Sequence, residues 1–172
     1  MKNLLDVISR ETRDIEKEAA IAAQAHFVAG RRWEKTNLGL GIPSTILAGV
    51  AGVTAFTALS PYITGCVALI VAALSGLSTF LGPGDRADSH RAASARFSEI
   101  RREASLLRDV DAPLANSDDE ETAQALADRL RQLITRITEA DQHAPGVSIY
   151  AKDQAEKKFG GQFVEAAQPA SS

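Results

Sequence analysis

From Thr36 to Gly84 the chain carries no Asp, Glu, Lys or Arg, while dense charge flanks the run on both sides. A helix that is apolar on every face must be surrounded on every face, by protein or by lipid. The run opens on Asn37-Leu-Gly-Leu-Gly-Ile-Pro43, breaks at Ser60-Pro61 and closes on Gly82-Pro83-Gly84. Proline suits the first turn of a helix, where its missing N–H would have no partner anyway. A preceding serine can cap that turn. The pattern predicts one helix over residues 42–59 and a second over 62–81, with Ser60 capping and Pro61 starting the return. At ~1.5 Å per residue these are about 27 and 30 Å long, and a bilayer core ~30 Å thick is crossed by ~17–25 apolar residues.

The competing reading is a soluble protein with the hairpin at its centre. The 172 residues, of which 24% are charged, with a net charge of −3, have the size of one ordinary domain. The flanks offer only narrow apolar stripes, too little to wrap two such helices. A membrane hairpin is therefore expected. Its orientation follows from the basic residues: Arg31, Arg32 and Lys35 precede the first span, Arg86, Arg91, Arg96, Arg101 and Arg102 follow the second, and the turn has none. Both termini are thus expected in the cytoplasm, with Trp33 and Tyr62 as interface anchors. The N-terminal MKNLLDVISRETRDIEKE lacks the uninterrupted apolar core of a signal peptide. Cys66 is the only cysteine, which excludes an intrachain disulfide and a Cys-based metal site. The slight acidity gives no hint of a nucleic-acid partner.

The flanks read as helices with 3-4 seams. The first runs Leu5, Ile8, Thr12, Ile15, Ala19, Ala22, His26, Ala29, Trp33; the second His90, Ala93, Phe97, Ile100, Ala104, Leu107; the third Ala123, Leu126, Leu130, Leu133, Ile137, Ala140. Ser117-Asp-Asp-Glu120 is a capping box before the third. Asp111 to Asn116 and His143-Ala-Pro-Gly146 read as loops, and a last helix spans Ile149 to Phe159, stopping at Gly160-Gly161. The seams are too alanine-rich to stand alone, so they are expected to pack, within one chain or between chains. The fold class is all-α: a two-helix transmembrane hairpin continuing into a cytoplasmic helical bundle or coiled-coil region. Residues 1–36 form the N-terminal cytoplasmic helix, 37–84 the hairpin, 85–163 the cytoplasmic helices and 164–172 a disordered tail.

Small residues recur at helical spacing in both spans: Ser44, Ala48 and Gly52, then Ala68, Ala72 and Gly76. Such stripes let helix backbones approach where the hydrophobic effect cannot drive association. They would serve packing within the hairpin, assembly of several subunits, or both. Around an assembly axis, Thr45, Thr54, Thr57, Ser75, Ser78 and Thr79 could line a pore, with Val50, Leu69 and Leu74 as a dewetting gate. The same hydroxyls could equally bond the preceding turn, as in ordinary spans. His26 and His90 lie on seams near the membrane face and read first as ordinary hydrogen-bonded seam histidines; a pH-sensitive pair is the sharper alternative, and with no third ligand they make a poor metal site. Arg101-Arg102 fits a solvated helix face as well as an anion site. Gly82-Pro-Gly-Asp85 lacks the ending of a phosphate loop, and no Ser/His/Asp order has a local signature. Neither catalytic residues nor a cofactor is expected.

The ordered set Ala22…His26…Arg31-Arg-Trp33…Asn37-Leu-Gly-Leu-Gly-Ile-Pro43…Gly49…Gly52, a short turn, a second span and His90-Arg-Ala-Ala…Phe97…Ile100-Arg-Arg-Glu103 resembles the SLATT domain family. That family comprises two-spanning effectors associated with SMODS nucleotidyltransferases and SLOG nucleotide sensors in bacterial conflict systems, and the resemblance covers residues 10–163. It implies a multi-pass protein of the bacterial inner membrane. Such a protein would form homo-oligomers that open a pore or disrupt the bilayer in an anti-phage, abortive-infection response. Because no sensor domain is fused here, the signal would come from a separate nucleotide-synthesising or nucleotide-sensing protein. The alternative is a non-conducting membrane scaffold that recruits a cytoplasmic partner through its helical seams.

Overall fold

Helical periodicity without a single strand-like alternation leads to an all-α chain. The computed structural model describes residues 2–55, 61–112 and 120–165, and these residues are helical except for Gly82 and a short connection at 144–148. Helix α1 spans Lys2–Ala55, α2 Pro61–Leu81, α3 Pro83–Leu106, α4 Glu120–His143 and α5 Ile149–Glu165; a π-helical turn, Leu107–Asp111, extends α3. Thr57, Ser60, the capping box from Ser117, the loop at 113–116 and the tail at 166–172 lie outside the described residues. The chain divides into two compact units, Gly30–Asp88 and the pair of segments Met1–Ala29 with Ser89–Ser172.

In the second of these units, the seams read from the sequence meet in one core. Ile8, Ile15, Ala19 and Ala23 of α1 pack with Phe97, Ile100, Ala104 and Leu107 of α3 and its π turn. Leu126, Leu130, Leu133, Ile137 and Ala140 of α4 complete the cluster. The seams are therefore satisfied within one chain. Alanine lets the helices approach closely but contributes little apolar area per residue, so polar ties matter. Arg136 of α4 pairs with Glu103 and, at 3.3 Å, with Glu99 of α3. Arg108, in the π turn, pairs with Glu16 of α1 and with Asp109 at 2.7 Å. The Ser94 hydroxyl donates to the Ala23 carbonyl at 2.9 Å, binding α3 to α1. Helix α5 buries Ala151, Ala155 and Phe159, with Arg101 of α3 over the Phe159 ring at 5.4 Å.

The unit Gly30–Asp88 pairs the C-terminal half of α1 with α2 and the start of α3. Thr64 donates to Thr54 at 3.4 Å at one end. At the other, Arg86 stacks over Trp33 at 4.9 Å, and a Cβ built on Gly84 would meet the Asn37 side chain at 3.8 Å. The two helices therefore run antiparallel. Gly82, at φ 51°, takes the left-handed conformation that ends α2. Its N–H donates to Ser78 O at 3.1 Å, and Pro83 starts α3 immediately, where a missing N–H costs nothing.

Three expectations need correction. The helix that carries the first apolar run does not begin at Ile42: α1 runs without a break from Lys2, with Pro43 inside it. An interior proline forfeits one backbone hydrogen bond and crowds the carbonyl four residues earlier. That cost is tolerated in apolar helices where hydroxyls engage nearby carbonyls. Here Ser44 and Thr45 donate to Leu40 O at 2.6 Å and Gly41 O at 2.9 Å, beside the site of the lost bond. The last helix does not stop at Gly160-Gly161 but continues to Glu165, because a helical glycine costs only ~1 kcal/mol. Val164 and Glu165, assigned to the tail from the sequence, are part of this helix. Finally, residues 107–111 form a π turn rather than an ordinary helix end.

Phe97 is 1% exposed at the centre of the core. Phe97→Ala should lower the unfolding free energy by about 3–5 kcal/mol, measured by denaturant unfolding followed by far-UV circular dichroism.

Candidate functional site

The first site is a surface. Neither apolar window of the two candidate spans contains a buried residue. Half-buried positions mark where α1 and α2 face each other: Leu40, Ser44, Leu47, Ala51 and Thr54 on α1, and Thr64, Val67, Val71, Leu74, Ser78 and Leu81 on α2. Both sets step by threes and fours, and aliphatic side chains dominate them. Everything else faces outward, including Ile46 (61% exposed), Val53 (66%), Leu69 (73%) and Phe80 (90%).

The small-residue stripes divide accordingly. Ser44 lies on the facing side, whereas Ala48, Gly52, Ala68, Ala72 and Gly76 are exposed. A Cβ built on Gly52 or Gly76 would meet nothing within 4 Å. Within the described hairpin the facing side is made mostly by larger aliphatic residues, with Ser44 the one stripe residue on it. When every face of a helix is apolar, residue size alone does not reveal which face a neighbour covers.

The hydroxyls largely bond their own helices. Besides Ser44 and Thr45, Thr79 donates to Ser75 O at 3.0 Å and Thr54 to Ala51 O at 3.0 Å. Ser78 is half-buried and Ser75 exposed. Of the three gate residues, Leu74 is half-buried on the facing side, while Val50 and Leu69 point outward. A single chain does not bring the three together. Thr57 lies outside the described residues.

The second site is a histidine pair. His26 of α1 and His90 of α3, both 4% exposed, place their Nδ1 atoms 3.0 Å apart. One ring must donate its Nδ1–H while the other accepts, so the bond needs at least one neutral ring. Phe97 stacks on His26 with ring centroids 5.5 Å apart and planes within 11°. Burial and the neighbouring His90 push the His26 pKa down from 6.5 to about 4, and burial lowers that of His90. Among the described residues no three His, Cys, Asp or Glu side chains gather as a metal set.

His26 also lines a cavity of about 570 Å³ between α1, the end of α4, the 144–147 connection and α5. Its walls carry Asp14, Lys17 and Glu18 of α1, Asp141 of α4, and Lys152 and Glu156 of α5. Sequence reasoning did not find this cavity. Asp14 and Glu18 share a helix face by their spacing, but only the chain reversal after His143 brings α4 and α5 to them. The Arg108–Glu16 ion pair, which joins residues 92 apart, escaped for the same reason.

No protein-family model, curated protein or solved structure matches the chain. The site must be judged on its own chemistry.

Gly52→Leu and Gly76→Leu enter open space and remove a helix-weakening residue. Neither variant should lower the thermal unfolding midpoint of the detergent-solubilised protein, followed by circular dichroism at 222 nm.

Proposed function

We propose that the chain is a membrane effector: a two-span hairpin, with both termini in the cytoplasm, that oligomerises in the bacterial inner membrane and opens a pore or disrupts the bilayer. The observation that carries this reading is the uncovered apolar surface of the hairpin. Fully burying one Leu, Ile or Phe side chain stabilises by ~1.5–3 kcal/mol, and among the described residues from Leu38 to Phe80 ten large aliphatic or Phe side chains are more than two-fifths exposed. The burial forgone is comparable with the whole stability of a domain, ~5–15 kcal/mol. Lipid supplies the missing cover, and α2, 21 residues long, matches the ~30 Å hydrocarbon core. The basic residues on both flanks and their absence from the turn favour cytoplasmic termini.

Assembly is supported by the outward stripes. Lipid tails give helices no hydrophobic reason to associate, so small residues that admit close packing become the contact surface. Ala48, Gly52, Ala72 and Gly76 are exposed among the described residues and offer a contact surface for a second copy. The resemblance to SLATT proteins adds the biological setting: phage defence by abortive infection, triggered by a separate nucleotide-synthesising or nucleotide-sensing protein. A pore axis would have to gather outward residues such as Thr45, Val50, Leu69 and Thr79 from several copies.

The test is expression in bacteria with a membrane-potential dye, comparing the wild type with Gly76→Leu at equal membrane levels. Depolarisation by the wild type, reduced at least several-fold in the variant together with its cross-linked oligomer, is the expected result. An assembled, triggered wild type that leaves the potential intact would support the non-conducting scaffold instead.

A further inference from the structure

The paired histidines have no place in the membrane reading above, and the inference drawn from them does not depend on it. We propose that His26 and His90 form a proton-operated latch between α1 and α3, closed while the pair holds at most one added proton and released by the second. At an Nδ1–Nδ1 separation of 3.0 Å, two neutral rings share one donor and one acceptor. A single added proton can leave that bond in place, because one ring keeps a free Nδ1 lone pair. A second proton puts two N–H donors and two positive charges face to face. The pair therefore titrates as a unit with two macroscopic steps.

The surroundings decide whether that second proton opens the contact or is absorbed. On α3, Phe97 stacks on His26 and offers no acceptor. From α4, Asp141 favours the charged form of His26, and from α5, Lys152 opposes it. Asp14, Lys17 and Glu18 of α1 and Glu156 of α5 stand around the same cavity. None of these makes a hydrogen bond to either ring, so none substitutes for the shared bond once it breaks. Beside the pair, the Ser94 hydroxyl donates to Ala23 O, a contact between α1 and α3 one turn from each histidine that does not depend on protonation. The cavity gives water, and hence protons, a route to His26.

The direction follows from linkage. His26 titrates at about 4 in the fold, against 6.5 without the fold's influence, so the native state binds fewer protons than the unfolded state between those values. Stability contributed by the neutral pair is fully present above pH 6.5 and is lost progressively as the pH falls toward 4. The latch thus weakens on acidification through this window and stays closed at neutral pH.

Hydrogen–deuterium exchange of the full chain in lipid nanodiscs, corrected for intrinsic rates and stepped from pH 7 to pH 5, reads the latch. Peptides covering residues 19–29 and 89–100 should lose protection at least tenfold in the wild type. Glutamine keeps a polar side chain but cannot take the second proton, so His26→Gln and His90→Gln should each flatten that response while retaining protection at pH 7. Nitrogen-15 shifts of the wild-type imidazoles provide a readout that requires no variant. Two steps below pH 6.5, the lower coinciding with the loss of protection, are expected. Protection that is constant from pH 7 to 5, an equal acid response in both glutamine variants, or rings that titrate together near 6.5 without any change in protection would each overturn the latch.

Discussion

Leu69 and Phe80 leave 73% and 90% of their surfaces uncovered, and they sit in a stretch with no charged residue to offer water. A chain with this feature has few solutions. Its backbone must satisfy its own hydrogen bonds, which favours helices, and its side chains need an apolar surrounding that two helices cannot give each other. The antiparallel pair covers one narrow face of each helix and leaves the rest open. The proposed lipid environment follows from this imbalance. It also accounts for the way Ser44, Thr45 and Thr79 turn their hydroxyls back onto carbonyls of their own helices, which leaves little polar surface to desolvate.

The remaining helices solve a different problem. Their core is rich in alanine, with a few large side chains, Phe97, Ile100 and Leu133 among them, where the three seams meet. Close approach compensates only in part for small buried area, and specificity comes from polar contacts at defined places. Arg108 reaches both Glu16 and Asp109 from a π turn. Such turns recur at functional sites because the inserted residue re-aims side chains. The histidine pair is the most demanding of these contacts, since it is buried on both sides and holds only in certain protonation states.

Much of this was legible in the sequence. The described seam positions from Ile8 to Ala29, His90 to Leu107 and Ala123 to Ala140 are buried, apart from the half-buried Ala22, because amphipathic helices announce the covered face by period. The same period set His26 and His90 on seams of helices that could be neighbours, while the bond between them comes only with the fold. The facing sides of α1 and α2 were not legible, since in a helix apolar all round no face stands out. Pro43 misled for a related reason: a proline can start a helix or sit within one, and the letter does not say which. The cavity and the Arg108–Glu16 pair depend on contacts between distant segments, which local patterns do not encode.

The outward faces of the hairpin should meet lipid. Spin labels placed singly at Val53, Leu69 and Leu77, and at half-buried Leu47 and Val71, in protein reconstituted into bilayers would test it through collision with oxygen and with a water-soluble nickel chelate. Lipid contact there gives high oxygen and low nickel accessibility at the three outward positions, with lower oxygen accessibility at Leu47 and Val71. Nickel accessibility at Val53, Leu69 and Leu77 equal to that of a label on an exposed residue such as Gln154 would contradict it.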